Sequence, residues 1–157
     1  MRRQSAFTLI EIIVTIVVIS IAATALIGVF ANTVRGSADP VIQQQATTIA
    51  EAYLEEIMLR AFNDPQDPEL GLGWVEAGEP GRAEFDDVQD YSTLAAGAAA
   101  DQFGNPVAAL AAYTVTVTIT NAALGGLPAA DSLRVDVEVA HPAIGNILLS
   151  GFRIRYP

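Results

Sequence analysis

The 157-residue sequence contains no cysteine and no lysine. Without cysteine there is no disulfide framework, no thiolate metal cage and no cysteine nucleophile. Without lysine there is no phosphate-binding loop of the kind that ends in a lysine. All eight basic residues are arginines, and the sequence has eighteen acidic residues, so the net charge is −10. An acidic chain of this kind is not expected to bind nucleic acid.

Histidine is nearly absent as well, since His141 is the single one and precedes Pro142 in a stretch that resembles a turn. It has no second histidine or paired acid at the spacing of metal ligands. The nucleophile elbow Gly-x-Ser-x-Gly is also missing. We therefore expect no catalytic residues, no resident cofactor and no enzymatic activity.

The N-terminal part of the chain is an apolar run over residues 7–30 with Glu11 as its one charged side chain. At roughly 1.5 Å per residue a helix of this length measures about 36 Å, enough to span a bilayer. Arg2 and Arg3 precede the run, so the positive-inside rule places the N-terminus in the cytoplasm and the bulk of the chain outside it. In a bacterium this predicts a single-pass inner-membrane protein with a periplasmic domain.

Two ordinary interpretations compete for this segment. A removable signal peptide would be cut after Ala31, but the run exceeds the usual apolar region of about 7–15 residues and carries an acid. A plain signal anchor would keep Glu11 close enough to the cytoplasmic face to reach water.

Residues 6–11 read Ala-Phe-Thr-Leu-Ile-Glu, which closely resembles the cleavage and methylation motif of type IV pilins and type II secretion pseudopilins. The resemblance implies that a prepilin peptidase removes a leader of residues 1–6 by cutting between Ala6 and Phe7. It also implies that the new amine of Phe7 is methylated and that Glu11 acts in filament assembly. Ala6 departs from the family, which usually has glycine there.

A physical role for Glu11 follows from this cut. Phe7 and Glu11 are i and i+4 on one helix face, near the helix N-terminus, where a negative group is favoured by about 0.3–1 kcal/mol. An acid in hydrocarbon costs about 2.5–3.5 kcal/mol, and the terminal amine of a neighbouring subunit would relieve that cost in the correct register. The amine of the same chain could do so in a free monomer, and the sequence leaves both pairings open.

Beyond the apolar run we expect a break at residues 36–40, with Asp39 as the N-cap of a second helical segment and Pro40 in its first turn. Residues 41–62 then form an amphipathic helix that ends before Asn63. Its apolar positions recur at helical spacing, and they are Ile42, Ala46, Ile49, Tyr53 and Ile57. Gly28, inside the apolar run, is either a point of local melting or a site of close helix packing.

Residues 63–105 show no sustained period, and we expect an irregular connection with one short helix near residues 91–100. Trp74 and Phe85 are expected to pin this connection to the body of the domain. It also contains an acidic cluster that could ligate calcium, although a solvated acidic loop explains it without a metal. The residues of that cluster are Glu84, Asp86, Asp87 and Asp90.

The last third alternates apolar and polar residues in three stretches, at residues 113–120, 132–140 and 147–157. This pattern predicts an antiparallel meander, with turns at Asn121, Gly125 and Gly126. One face is expected to bury two sets of side chains: Tyr113, Val115, Val117 and Ile119, and Leu133, Val135, Val137 and Val139. The predicted fold class is α+β and pilin-like, a long N-terminal spine helix packed on a small antiparallel sheet of three or four strands.

The predicted organisation is a leader at 1–6, a transmembrane spine helix at 7–36 and a periplasmic domain at 37–157. Residues 39–65 and 85–91 further resemble MshD-type minor pilins of the mannose-sensitive haemagglutinin pilus. The resemblance implies other pilin subunits, the prepilin peptidase and an inner-membrane assembly platform as partners. Two alternatives stay open: a minor pseudopilin of a type II secretion system, and an anchored periplasmic binding or signalling module that never polymerises.

Overall fold

The structure is a computed structural model that describes residues 8–66, 72 and 78–155, and within this range the side chains of residues 31–39 are not described. These described residues form one long helix, four β-strands and three short 3₁₀ turns. The chain divides into two compact units at Pro40. Trp74, which was expected to anchor the connection, lies outside the described residues.

Helix α1 runs from Leu9 to Met58 with Pro40 inside it. The predicted break at residues 36–40 was therefore wrong, and Asp39 is not an N-cap. Proline removes one helical hydrogen bond and disfavours the helical conformation of the residue before it. These are local penalties, and the intact hydrogen bonds of the adjoining turns outweigh them here.

In the N-terminal unit, the helical span Leu9–Phe30 is long and apolar enough to cross a membrane, and its mean hydropathy is 2.8. None of this segment is buried within the protein. A helix that is apolar on every side and is not covered by the rest of its own chain needs to be surrounded by lipid or packed against other helices.

The second unit contains a single antiparallel sheet with strand order β1-β2-β3-β4. The strands are β1 Gly97–Ala98, β2 Thr114–Asn121, β3 Ser132–His141 and β4 Gly145–Ile154. The last three strands confirm the predicted meander, whereas the two-residue β1 was not predicted. A strand this short has no measurable period, and it exists because it pairs with β2.

The core of this unit lies between α1 and one face of the sheet. Its helical residues are Ala46, Ile49, Ala50, Tyr53 and Ile57, and its strand residues are Tyr113, Val115, Val117, Ile119, Leu133, Val135, Val137 and Val139. Ile42 packs at the margin and is only partly buried. The predicted apolar stripe and the predicted inner face of the sheet are thus confirmed, and the α+β, pilin-like layout with them.

The segment after α1 differs from prediction. The helix ends at Met58 rather than Phe62, because the backbone of Ala61 pairs with the loop: its N–H donates to the Asp86 carbonyl (3.2 Å), and its carbonyl accepts from Val88 N–H (3.0 Å). The helix expected near residues 91–100 was wrong too, and a single 3₁₀ turn at Asp90–Thr93 takes its place.

Phe85 does anchor the irregular connection, as expected. Its side chain is buried, and its ring meets that of Tyr91 edge to face with centroids 5.1 Å apart. Tyr91 is fully buried. The two rings together hold the connection onto the core of the domain.

Candidate functional site

Glu11 lies in the first turn of α1, and Thr8 is the residue immediately before the helix, at the N-cap position. The Thr8 carbonyl accepts hydrogen bonds from Glu11 N–H (3.1 Å) and Ile12 N–H (3.3 Å), while Thr8 Oγ1 lies 3.4 Å from the Glu11 nitrogen. Threonine is a preferred residue at this position because its hydroxyl satisfies an N–H that the helix leaves open. An acid in the first turn also suits the positive end of the helix dipole.

The neighbours of Glu11 are apolar and exposed. Ile10 and Ile12 flank it in sequence and are 71% and 50% exposed. Among the described residues, no cation lies within ion-pair distance of the Glu11 carboxylate. In lipid this carboxylate would need a partner from outside the described part of the chain.

The three hydroxyls of the apolar span behave differently from Glu11. Thr15 Oγ1 donates to the Glu11 carbonyl (2.6 Å), Ser20 Oγ to the Ile16 carbonyl (2.7 Å) and Thr24 Oγ1 to the Ser20 carbonyl (2.8 Å). Each hydroxyl is therefore satisfied by its own helix, as backbone-bonded Ser and Thr are in membrane helices. Glu11 is left as the polar side chain of this span whose partner must come from elsewhere.

The predicted cleavage and methylation positions, Ala6 and Phe7, lie outside the described residues. Gly28 lies within α1, and a Cβ added there would meet no atom within 4 Å. Gly28 is helical in this single chain. Local melting and close helix packing at Gly28 both concern the assembled state, so both remain predictions.

A second candidate site is the acidic cluster of the connection. Carboxylate oxygens of Glu79, Asp86 and Asp90 lie within 4.8 Å of one another. Asp86 and Asp90 belong to the set predicted from the sequence, whereas the other two predicted residues, Glu84 and Asp87, lie outside this group, and Glu84 is exposed. Glu79 was missed, because it sits seven residues before Asp86 in a Pro- and Gly-containing stretch without a ligand pattern.

The acids of this cluster also build the loop. Asp90 Oδ2 accepts the backbone N–H of Asp86 (3.2 Å) and of Asp87 (3.1 Å). Asp87 Oδ1 in turn accepts from the N–H groups of Gln89 and Asp90. Oxygen ligands of this kind suit a hard cation such as calcium. Their hydrogen bonds to backbone nevertheless explain Asp87 and Asp90 without a metal.

Burial and charge crowding raise the pKa of Glu79 in this cluster and of Asp87 beside it. Burial, together with the nearby carboxylates of Asp90 and Asp86, raises the pKa of Glu79 to about 7. Burial and the charge of Asp90 raise the pKa of Asp87 to about 6, against the lowering effect of its hydrogen bonds to backbone N–H groups. Both groups therefore favour the protonated form more than free carboxyls do.

His141 is a packing residue in the described structure. It ends β3, its ring centroid lies 4.7 Å from that of Tyr113, and its Nδ1 accepts the N–H of Ala143 (3.2 Å). The Tyr113 hydroxyl donates to Gln45 Oε1 (2.6 Å) on α1. These contacts tie the end of the sheet to the helix.

Comparison with known proteins gives one result. Residues 1–27 match a family model described as the prokaryotic N-terminal methylation motif. No curated protein and no solved structure gives a significant match to the chain. The matched segment contains Ala6, Phe7 and Glu11 and extends through most of the exposed apolar span. This motif supports placing the chain in the class of type IV pilins and pseudopilins, as a pilin-like substrate of prepilin peptidase.

Proposed function

We propose that this chain is a minor pilin that is inserted into the inner membrane, cleaved before Phe7 and then incorporated into, or used to initiate, a type IV pilus filament. In its membrane state the N-terminus faces the cytoplasm and the domain after Pro40 faces the periplasm. Prepilin peptidase, the assembly platform and other pilin subunits are its partners. The subunit has a structural rather than an enzymatic role.

The observation that carries this proposal is the state of Glu11. It is a carboxylate without a cation among the described residues, in the unburied apolar span Leu9–Phe30 and inside the matched methylation motif. Burying an acid in lipid costs about 2.5–3.5 kcal/mol. A partner that neutralises the carboxylate would remove this cost.

Cleavage supplies that partner. Cutting the bond between Ala6 and Phe7 creates a cationic amine one helical turn before Glu11. When spine helices pack side by side, the amine of one subunit can neutralise Glu11 of its neighbour. Because an ion pair in lipid depends steeply on geometry, the pairing fixes how far one helix slides along the next.

A minor subunit fits the rest of the chain better than a major adhesive pilin. The sequence has no cysteine, so it lacks the disulfide-bounded C-terminal loop of many major pilins. The resemblance of residues 39–65 and 85–91 to minor pilins of the mannose-sensitive haemagglutinin pilus favours that system. The second candidate, a minor pseudopilin of a type II secretion system, would use the same spine.

The test is the mature N-terminus of the protein purified from its host, read by mass spectrometry. A methylated phenylalanine at position 7 supports the proposal. A chain that still begins at Met1 favours the non-polymerising anchored module, and one that begins at Asn32 favours a removable signal peptide. In the Ala6→Leu variant, a bulkier residue at the cut should leave the leader in place.

Pilus and secretion system are separated by the proteins that co-purify. The chain is expected in sheared pilus fractions together with pilin subunits. Recovery with secretion-system components instead, from a host whose pili form normally without this chain, would support the pseudopilin.

A further inference from the structure

Strand β4 has one edge without a partner strand. It lies at the end of the sheet, with β3 on one side, and in the part of the chain that the structure describes no strand pairs with its other side. The pairing with β3 is continuous from Gly145 to Ile154, ten residues without a bulge. A strand of this length leaves a row of backbone N–H and C=O groups free to bond with another chain.

The two edges of the sheet differ in their protection. On the opposite side of the sheet, the two-residue β1 pairs with Thr114 and Val115 of β2, and the 3₁₀ turn Asp90–Thr93 lies against the same strand. Over residues 145–152 the β4 edge has none of the usual protection from pairing: this stretch contains no charged residue, no proline and no bulge, and the one charged residue of the strand is Arg153. An edge of this type is open to a partner strand.

The outer face of β4 carries apolar side chains that the rest of the domain does not cover. Leu148 is 54% exposed and Phe152 is 40% exposed. The polar residues of this face are already bonded to β3: Asn146 Nδ2 donates to Glu138 Oε1 (2.7 Å), and the Ser150 hydroxyl bonds with Asp136. What remains available along the edge is therefore backbone and apolar surface.

One end of the edge is positively charged. Arg153, near the end of β4, and Arg155, just after the strand, line a cleft of about 460 Å³ together with Ala61, Phe62 and Asn63. The Nε of Arg153 is buried and has no hydrogen-bond partner among the described residues. Arg155 is already engaged, by Asp131 at 3.6 Å. The protein as a whole carries a net charge of −10, but this cleft is lined by arginine. The guanidinium of Arg153 therefore favours an incoming carboxylate here.

A second β4 strand does not supply this carboxylate. Residues 145–155 contain no acidic residue, so pairing between two β4 strands would leave Arg153 of each copy without an anionic partner. The cleft therefore favours a segment with an acidic end, which β4 itself lacks.

We infer that the free edge of β4 pairs with an extended segment of a different protein, which carries apolar side chains at alternate positions and a carboxylate at the end that meets Arg153. Backbone hydrogen bonds along residues 145–152 supply the binding, and Leu148 and Phe152 contact the alternate side chains. Arg153 selects the acidic end. This strand addition goes beyond subunit packing through the spine helix and does not depend on cleavage at Ala6.

The test is site-specific photo-crosslinking of the full-length protein in its host membrane. A photoreactive phenylalanine analogue replaces Leu148 in one strain and Phe152 in another, and the captured residues are identified by tandem mass spectrometry. We expect both positions to label one segment of one protein, at residues four apart, because paired strands advance residue by residue. The same analogue at Thr118, which is exposed on β2 and separated from β4 by β3, should capture none of it.

Two variants test the chemistry with the analogue kept at Phe152. Arg153→Gln should lower the adduct yield about tenfold, as expected for loss of a hydrogen bond to a charged group. Leu148→Lys, which adds the kind of charge that protects natural edges, should lower it at least as much, whereas Thr118→Lys should not.

Other labelling patterns would overturn the inference. Adducts between the β4 strands of two copies would mean self-pairing, and adducts scattered over unrelated segments would mean that the edge is merely exposed. An adduct yield that Arg153→Gln leaves unchanged would remove the acidic end from the proposed partner.

Discussion

Arg82 and Glu56 form a two-point ion pair that joins the irregular connection to α1. Arg82 Nε lies 2.9 Å from Glu56 Oε1, and Arg82 Nη2 lies 2.7 Å from Glu56 Oε2. The Tyr91 hydroxyl also donates to Oε1 (2.7 Å), and the guanidinium lies 3.8 Å from the centre of the Tyr53 ring. Burial pushes the pKa of Glu56 upward, but the hydrogen bonds from Arg82 and Tyr91 outweigh it and the pKa is lowered.

Removing one member of this pair should be costly. The side chains of Arg82 and Glu56 are only 4% and 17% exposed, so Arg82→Met would leave a poorly solvated carboxylate without its cation. We expect the free energy of unfolding to fall by about 3 kcal/mol. The measurement is urea unfolding of the full-length protein in detergent micelles, followed by circular dichroism.

The control is Arg134→Met. Arg134 pairs with Asp136 at 2.9 Å, but its side chain is 42% exposed, and such pairs contribute about 0–1 kcal/mol. Replacing Glu56 by Gln in the Arg82→Met chain should recover part of the loss, because the stranded charge is then gone. Equal losses from Arg82→Met and Arg134→Met would contradict the buried-pair interpretation.

The acidic cluster should make stability depend on pH between about 5 and 8. The pKa of Glu79 is raised to about 7 and that of Asp87 to about 6 in the folded chain, above the ordinary values of 4.5 and 3.8. The folded state therefore binds protons that the unfolded state has already released. Their stabilising effect is complete below the unfolded values and is lost as pH rises through 6 to 7.

Urea midpoints measured at pH 5 and pH 8 check this expectation. The midpoint should be higher at pH 5, and Glu79→Gln should shrink the difference between the two, since its side chain cannot ionise. Glu84→Gln is the matched control, because Glu84 is exposed and outside the cluster. A midpoint that rises from pH 5 to pH 8 would show that the cluster is not strained by its charges.

The main elements could be predicted from the sequence because each has a clear period. The stripe from Ala46 to Ile57 repeats at helical spacing, and the alternation in β2 and β3 identifies their buried faces. The acidic motif residue Glu11 could be identified for a different reason, since a lone charge in an apolar run is conspicuous. Each of these features can be recognised from residues that are close together in the sequence.

The missed features depend on contacts between distant residues. Strand β1 exists through pairing with β2, and α1 stops at Met58 because Ala61 bonds to Asp86 and Val88. Glu79 enters the acidic cluster by the path of the loop rather than by any spacing. Each of these outcomes is decided by tertiary structure that overrides or replaces a local preference.

Gly151 should be intolerant of a larger residue. It lies in β4 beneath α1, and a Cβ built on it would come within 2.4 Å of Met58 Cε and 3.2 Å of Leu54 Cδ1. Although valine is a better strand former than glycine, Gly151→Val should destabilise the domain by about 1 kcal/mol through overpacking, the low end of such costs, because the nearest atom is the end of the flexible Met58 side chain. Urea unfolding at a single pH measures the change.

Two further variants test whether the loss of stability in Gly151→Val comes from the contact with Met58. Gly97→Val is the matched control in β1, where the nearest atom to an added Cβ is a carbonyl oxygen 3.9 Å away, and it should be close to neutral. Combining Gly151→Val with Met58→Ala should cost less than the two separate losses added together, because truncating Met58 makes room for valine. Strict additivity would place the cause elsewhere than in this contact.

Glu11→Val should leave membrane insertion and cleavage intact and block assembly. Valine removes the cost of an acid in lipid but also removes the partner of a neighbour's terminal amine, worth about 2.5–3.5 kcal/mol or roughly a hundredfold in equilibrium. The fraction of mature chain recovered in sheared filaments, measured by immunoblot, should fall accordingly. The recovered fraction of Glu11→Gln should fall as well, because glutamine is polar but carries no charge.

Thr15→Val is the control. The Thr15 hydroxyl donates to the Glu11 carbonyl of its own helix, so its removal should not weaken the contact between subunits. Normal incorporation of Glu11→Val, with the leader correctly removed, would refute the docking role of this carboxylate.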